Sequence, residues 1–212
     1  NYRGLIVNVG LRGDFWAPGR EVEHVMANHE DYLFVYPDMV QDFHDNTIEA
    51  FGRNWKVRLS PRLGMSFPVT EHDKFFFNYG HFSQWPRFAY VYPQLQAQTA
   101  TEVQLLGNPN LDPKITVEYE TGLQHEFGGL WSMGITFFNR DIYDYAKAVE
   151  LLPESIGAEE TPDPNDTGSK DVSPVRYFNG DSARSLGVEV SFIKRTIRWL
   201  SGSASVELQR TT

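Results

Sequence analysis

The chain has 212 residues, 41% hydrophobic and 14% aromatic, and a net charge of -9. That balance argues against nucleic-acid backbone as a partner, which needs clustered Lys and Arg. No apolar run reaches the roughly 18–20 residues of a membrane helix, which leaves a strand-built membrane barrel open, and the lack of cysteine removes disulfides and thiolate chemistry.

Alternation with a period of two recurs along the chain and helical periodicity is scarce, so the predicted elements are strands. The first lies near 3–15, with Leu5, Val7, Val9 and Leu11 opposed to Asn8, Gly10, Arg12 and Asp14. A long link, 17–54, precedes a second strand at about 55–67, where Val57, Leu59, Leu63, Met65 and Phe67 oppose Lys56, Arg58, Ser60, Arg62 and Ser66. The tight turn PVTEH (68–72) leads into a third near 73–85, with Phe75, Phe77 and Tyr79 against Lys74, Asn78 and Gly80.

A second long link, 86–113, ends in the turn-makers GNPNLDP and opens the fourth strand, 114–127. There Ile115, Val117, Tyr119, Thr121, Leu123 and Phe127 face Thr116, Glu118, Glu120, Gln124 and Glu126 across the strand. A Gly128-Gly129 corner starts the fifth, about 130–146, with Trp131, Met133, Ile135 and Phe137 on its apolar side. The third long link, 147–174, is acidic and rich in Pro, Gly and Ser. The sixth strand, about 175–195, carries Leu186, Val188, Val190 and Phe192. A tight corner near 195–198 leads to the seventh, 198–211, with Leu200, Ala204, Val206 and Leu208.

These strands exceed the five or six residues usual in soluble proteins. Tight turns alternate with long loops, which is the build of an outer-membrane barrel. Aromatics also fall at two levels. Phe67, Phe127, Trp131 and Trp199 flank the tight turns, and Phe15, Trp16, Trp55, Trp85, Tyr143 and Tyr145 sit at the long-loop ends. Roughly 10–12 residues separate the levels, about 30 Å at ~3.3 Å per residue and ~40° tilt, which fits a girdled bilayer core. The greasy face is expected to meet lipid (Leu5, Val7, Val117, Leu123, Ile135, Val188 and Val190 among it) and the acidic face a wet or plugged lumen. A soluble antiparallel sandwich shares the alternation and is the bland alternative.

Several stretches resemble one family. GNPNLDPKITVEYETGLQHEF (107–127) resembles the Asn-Pro-x-Leu-x-Pro-Glu segment and the Tyr-Glu-x-Gly strand of TonB-dependent receptors, the plugged barrels of Gram-negative outer membranes. GLRGDF (10–15) is similar to their Gly-Leu-Arg-x-Asp strand, and RLSPRLGMSFPVTEHDKFFFNYGHFSQWP (58–86) to their Ser-Pro-Arg-x-Gly hairpin with its aromatic-Pro loop entry. ITFFNRDIYDY (135–145) resembles the Phe-x-x-Asp-Ile strand, and YFNGDSARSLGVEVSFIKR (177–195) the Asn-x-x-x-Ala-x-x-x-Gly-Val-Glu strand. Lys114 stands where the family usually has Glu.

The resemblance implies an all-β, antiparallel transmembrane β-barrel, of which residues 1–212 form a part: seven consecutive strands of a plugged barrel of about 22. The plug domain and the TonB-contacting segment are expected elsewhere, and the chain, opening with Asn1, reads as an internal piece of a longer protein. The tight turns would be periplasmic and the long loops extracellular, in the bacterial cell outer membrane. The implied function is uptake of a scarce bulky solute (siderophore, vitamin, glycan or peptide), with outer-membrane lipid, the TonB complex through the plug, the solute and a surface lipoprotein as partners. No cofactor and no enzymatic chemistry are implied. A plugless porin or adhesin barrel, and a soluble sugar-binding β-sandwich, are the competing functional readings.

Loop 17–54 holds His24, His29, Glu30, Asp31, His44 and Asp45, but His24 and His29 are five apart, off the spacing of two ligands on one helix face. They read as polar residues of a solvated loop. Asp163 to Gly168 looks like a calcium loop but lacks its closing Glu, and reads as an acidic turn. Trp85, Arg87, Phe88, Tyr90 and Tyr92 are the candidate ligand-facing loop residues, with packing and girdle roles as their bland counterpart. If Phe127 pairs with Trp131, the register sets Glu118 across from Arg140, an expected structural pair in the lumen.

Overall fold

A computed structural model describes residues 4–32, 35–92, 105–151, 174–195 and 200–212. Its strands, in chain order, are β1 (Ile6–Trp16), β2 (Ile48–Ala50), β3 (Arg53–Pro68), β4 (Asp73–Gln84), β5 (Leu105–Leu106), β6 (Lys114–Phe127), β7 (Trp131–Glu150), β8 (Val175–Lys194) and β9 (Gly202–Thr211). The seven long ones are the seven read from alternation, and each pairs antiparallel with the next. β2 adds a short hairpin to β3, and β5 lies parallel to the start of β8. The result is one open meander whose long edges are β1 and β9.

The tight turns have simple causes. Gly128 and Gly129 have φ of 55° and 73°, the left-handed pair that a two-glycine hairpin corner uses to match strand twist. At the β3–β4 turn the Thr70 hydroxyl accepts from the backbone N–H of His72 and Asp73 and donates to the Asp73 carboxylate. The expected corner near 195–198, and Trp199 with it, lie largely outside the described residues, as do Asp163 to Gly168.

Cross-strand partners link the strands into lateral rows. One row runs Val9, Leu63, Tyr79, Tyr119, Asn139, Leu186 and Arg210 from β1 to β9. All seven share one face, the greasy one. On β1 that face stays apolar toward the long loop for six residues more, to Phe15; on β9 its last apolar residue, Leu208, falls two residues short of the row. The edge of the apolar band therefore shifts by eight residues over six strand steps. That is about 26 Å along the strands for about 29 Å across them, a slant of roughly 40°. Strands of a closed barrel tilt by 35–45° from the axis, so a band level with a membrane must slant across them by this amount.

The polar face carries Arg58, Arg62, Asn78, Glu118, Glu120, Arg140, Glu189 and Glu207, and phenylalanines that alternation does not explain, two of them opposite glycines. Phe76 is the cross-strand partner of Gly122 and Phe138 that of Gly187. Each ring covers its glycine so closely that an added Cβ would meet ring carbons at 2.6 Å. They fill the space left by the missing side chains.

The main buried apolar cluster lies away from the wall, in the long link after β1, which is helical where a loop is expected, although its histidines and acids do face solvent. Helices α1 (Arg20–Ala27) and α2 (Pro37–Asp45) pack Val22, Val25, Met26, Val35 and Phe43 into a small core, flanked by Tyr32, Met39 and Val40. Val22, Val25 and Met26 recur at i, i+3 and i+4, and Pro37 opens α2 at a position where its missing N–H costs nothing. The lobe is tied to the wall by the Glu23 carboxylate, which accepts from Asn54 N–H at 2.9 Å. His24, His29, Glu30, Asp31, His44 and Asp45 lie on these helices and the 3-10 turn between them, and among the described residues no three acidic or histidine side chains converge on a metal position.

Candidate functional site

The long-loop end of the sheet is organised by residues 107–113, the turn-rich run that precedes β6. Asn108 accepts from Asn110 N–H with its side-chain oxygen and donates its amide to Tyr177 O on β8. Asn110 donates to Met39 O on α2, and Asp112 N–H donates to Asn179 Oδ1 on β8. From below, the Lys56 ammonium of β3 reaches Asn110 O at 2.8 Å, Leu111 O at 3.2 Å and an Asp112 carboxylate oxygen at 3.2 Å. Lys56 is only 3% exposed, and Leu111 above it 1%. A buried ammonium needs its donors satisfied, and three oxygens converge to do so. One short segment thus joins α2, β3 and β8.

Beside it lies a cleft of about 260 Å³. Trp85, Arg87 and Tyr90 line it together with Asp112, Lys114, Asp144 and Tyr145. Tyr145 is there because β7 bulges. Ile142 pairs with Ala183 and Tyr145 with Asp181, three residues on β7 against two on β8, and Asp144 takes a φ of 61°. The extra residue reverses the alternation, so Tyr143 stays on the apolar face while Tyr145 turns to the polar one. Its ring sits 5.2 Å from the Lys114 ammonium, and Asn179 pins the bulge by donating to Asp144 O at 2.9 Å. The girdle expected at this level is corrected accordingly. Tyr145 leaves it through the bulge, and Trp16, opposite buried Lys56, stacks on Trp85 at 5.2 Å instead.

The structure divides the five candidate loop residues. Trp85 is held by Trp16, the Tyr90 ring packs tilted against Tyr177 with centroids 4.3 Å apart, and Tyr92 donates its hydroxyl to Pro18 O. Arg87 and Phe88 are exposed at the start of α3 (Phe88–Val91), Phe88 with 64% of its surface open. Arg87, Trp85 and Tyr90 share the cleft; Phe88 and Tyr92 lie against each other outside its lining. Asp112 and Asp144 carry no signal in the sequence, while Lys114 stands out there only as a departure from the family pattern and Tyr145 only as a girdle aromatic. No local signal in Tyr143-Asp144-Tyr145 marks a bulge, and strict alternation hides it. Two cations and two carboxylates line the cleft, with Asp112 already engaged by Lys56. Such a lining offers aromatic faces and both signs of charge to a polar solute; it holds no nucleophile-base pair.

Deeper on the polar face, Glu118 and Arg140 are cross-strand partners, with Arg140 Nε donating to Glu118 Oε1 at 2.5 Å. Glu120 stands 3.8 Å from the same guanidinium. Glu189 and Glu207 face each other directly, a like-charge pair one strand away. Arg140 is the cation amid these carboxylates.

No curated protein matches the chain significantly. Solved structures share the fold. The siderophore receptor PirA from Pseudomonas aeruginosa aligns at 20% identity and a TM-score of 0.52, over 74% of this chain and 29% of its own. A mutant of the ferric enterobactin receptor PfeA from the same organism, in complex with enterobactin, gives 20% and 0.53, over 73% and 22%. The FrpB iron transporter of Neisseria meningitidis gives 15% and 0.51, over 100% and 24%. The chain thus spans about a quarter of the length of these proteins. A family model, TonB dependent receptor-like, beta-barrel, matches residues 4–209, and the chain belongs to that family.

Proposed function

We propose, taking membership of the TonB-dependent receptor barrels as the premise, that these residues form part of the wall and mouth of an outer-membrane transporter that takes up a scarce, bulky solute. The observation that carries this reading is the apolar band, which slants across seven strands at the tilt of a closed barrel. The apolar face would meet lipid, and the polar face, with Glu118 and Arg140, a lumen that the plug of the whole protein fills. The long loops would be extracellular and the tight turns periplasmic. Siderophore, vitamin, glycan and peptide are all compatible with the cleft, in which Arg87, Trp85 and Tyr90 would touch the solute, with Phe88 at its approach. TonB, reached through the plug, would supply the energy, and the chain itself would perform no bond chemistry.

The test is uptake by cells producing the full-length protein, screened over labelled ferric siderophores, cobalamin and oligosaccharides, with and without TonB. Accumulation of one class that ceases without TonB is expected. Arg87→Ala is expected to weaken its binding about tenfold, as loss of one charged contact does. Uptake indifferent to TonB would make the barrel a passive porin, and full-length protein that stays in buffer without detergent would end the membrane reading.

A further inference from the structure

The apolar face carries a cluster that contact with acyl chains does not call for. Asp141 on β7 and Arg184 on β8 are cross-strand partners in the row just beyond Asn139, on the greasy face at its long-loop edge. Arg184 Nε donates to one Asp141 oxygen at 2.5 Å, and the Asn139 amide donates to the other at 2.9 Å. Asp141 is nearly covered, its side chain 14% exposed, whereas Arg184 is 59% exposed. The carboxylate therefore fixes the guanidinium by its Nε and leaves its outer nitrogens uncommitted.

A second guanidinium stands beside it. Arg184 pairs through its backbone with Thr212, exchanging N–H and C=O at 2.9 Å, and Arg210 precedes Thr212 by two residues on the same face of β9. The two arginines are thus diagonal neighbours on adjacent strands, within reach of one shared ligand. Among the described residues Arg210 has no carboxylate partner. Within these strands two guanidiniums stand beside one carboxylate. Just inside the band, the same face is purely apolar: Phe137, Val188 and Leu208 form the next lateral row.

We infer that Arg184 and Arg210, with Arg184 oriented by Asp141, bind the phosphate of a lipid headgroup whose acyl chain lies along Phe137, Val188 and Leu208. Guanidinium donors match phosphate oxygens in paired geometry, and an arginine on a lipid-facing surface is tolerated where it reaches the headgroup layer. The apolar row directly beneath selects a lipid over a free anion. This inference rests on the reading that the apolar face meets the bilayer.

The experiment uses the full-length protein in detergent, with bound lipid counted by native mass spectrometry. The probes are dioleoyl phosphatidic acid and dioleoyl phosphatidylcholine, with inorganic phosphate as the competitor. Retention of phosphatidic acid several-fold above phosphatidylcholine is expected. Arg210→Gln, which leaves the Asp141–Arg184 pair intact, should lower that preference roughly tenfold. Arg184→Gln with Arg210→Gln should abolish it, and Arg58→Gln on the polar face should leave it unchanged. Equal retention of the two lipids, a preference unmoved by both variants, or the same loss in Arg58→Gln would each overturn the inference. So would displacement by inorganic phosphate at matched concentration, since a free anion would then be the ligand. Failure of the membrane reading looks different, because the protein would not enter vesicles at all.

Discussion

Lys56→Met should release residues 108–112 from the wall while leaving the wall standing. The substitution keeps the stem and removes the ammonium that Asn110 O, Leu111 O and the Asp112 carboxylate share. Hydrogen bonds from a charged donor contribute about 1.5–3 kcal/mol each. The Asp112 arm is worth little, because that side chain is 56% exposed and water replaces the donor. The two carbonyl arms remain, at ~3–6 kcal/mol together, less the desolvation of the ammonium, which the methionine no longer suffers. A net local loss of about 2 kcal/mol follows, or roughly 30-fold in the opening equilibrium. Hydrogen exchange of the full-length protein in detergent reads it at the N–H groups of Asn108, Asn110, Leu111 and Asp112, all hydrogen-bonded here. Asp112→Asn should move the same amides by less than about fivefold, the scale of an exposed ion pair. Unchanged exchange in Lys56→Met would refute the reasoning. An equal effect of the two variants would show that the ion pair, not the carbonyls, holds the segment.

Gly122→Ala should destabilise the wall by about 1–3 kcal/mol in urea titration of the reconstituted full-length protein, because the new Cβ meets the Phe76 ring and the Ile135 carbonyl; pairing it with Phe76→Ala should recover part of the loss. A double-mutant cycle of Glu118→Gln and Arg140→Gln should give at most about 1 kcal/mol, reduced by salt, since the side chains are 21% and 38% exposed. Arg140→Gln alone should cost more than Glu118→Gln, for it leaves Glu118, Glu120 and Glu207 without their shared cation. At the tight-turn end, beyond Phe75 where the apolar stretch of β4 begins, the Thr70 hydroxyl and then His125 hold the Asp73 carboxyl below its ordinary value. The turn's stabilisation is thus full above that ordinary value of 3.8 and is lost as pH falls through the lower, folded one. Exchange at the His72 and Asp73 amides should rise only in that acid window, whereas Thr70→Ala, which removes the hydroxyl that accepts from both, should raise it at every pH.

The wall was legible because one physical rule governs it. A strand with apolar surroundings on one side and polar surroundings on the other must alternate, and the Glu118 to Arg140 register follows from a two-glycine corner whose conformation the dihedrals at Gly128 and Gly129 show. The rule fails where the environment stops being two-sided. At Tyr145 a single extra residue reverses the alternation, and nothing in its composition distinguishes it from Tyr143. At Phe76 and Phe138 an apolar side chain sits on the polar face because its partner strand offers a glycine there, a fact visible only once the register is known. The helical lobe is a different miss. Val22, Val25 and Met26 do carry helical spacing, but over one eight-residue helix flanked by histidines and acids, too short to stand out against the strands.

The lobe and the wall are stabilised in different ways, and the difference bears on function. Wall residues such as Val9 and Leu208 are 79% and 75% exposed within this chain, so their burial depends on what the surroundings place against them. The lobe buries Val22, Met26 and Phe43 to 1% within itself, at about 1.5–3 kcal/mol per side chain. It is therefore ordered by its own core, and it is coupled to the wall through polar ties that include Glu23 and Thr47 to Asn54, Asn110 to Met39, and Arg176 to Met39. A mouth built this way can change its sequence, and the solute it contacts, without disturbing the alternation on which the wall depends. Conversely, substitutions in the apolar band reach the cleft through the strands that end at it, among them β3, where Lys56 stands, and β7, whose bulge aims Tyr145. Those two positions, one a buried cation and the other a backbone irregularity, are two of the places where the chemistry of the mouth is joined to the geometry of the barrel.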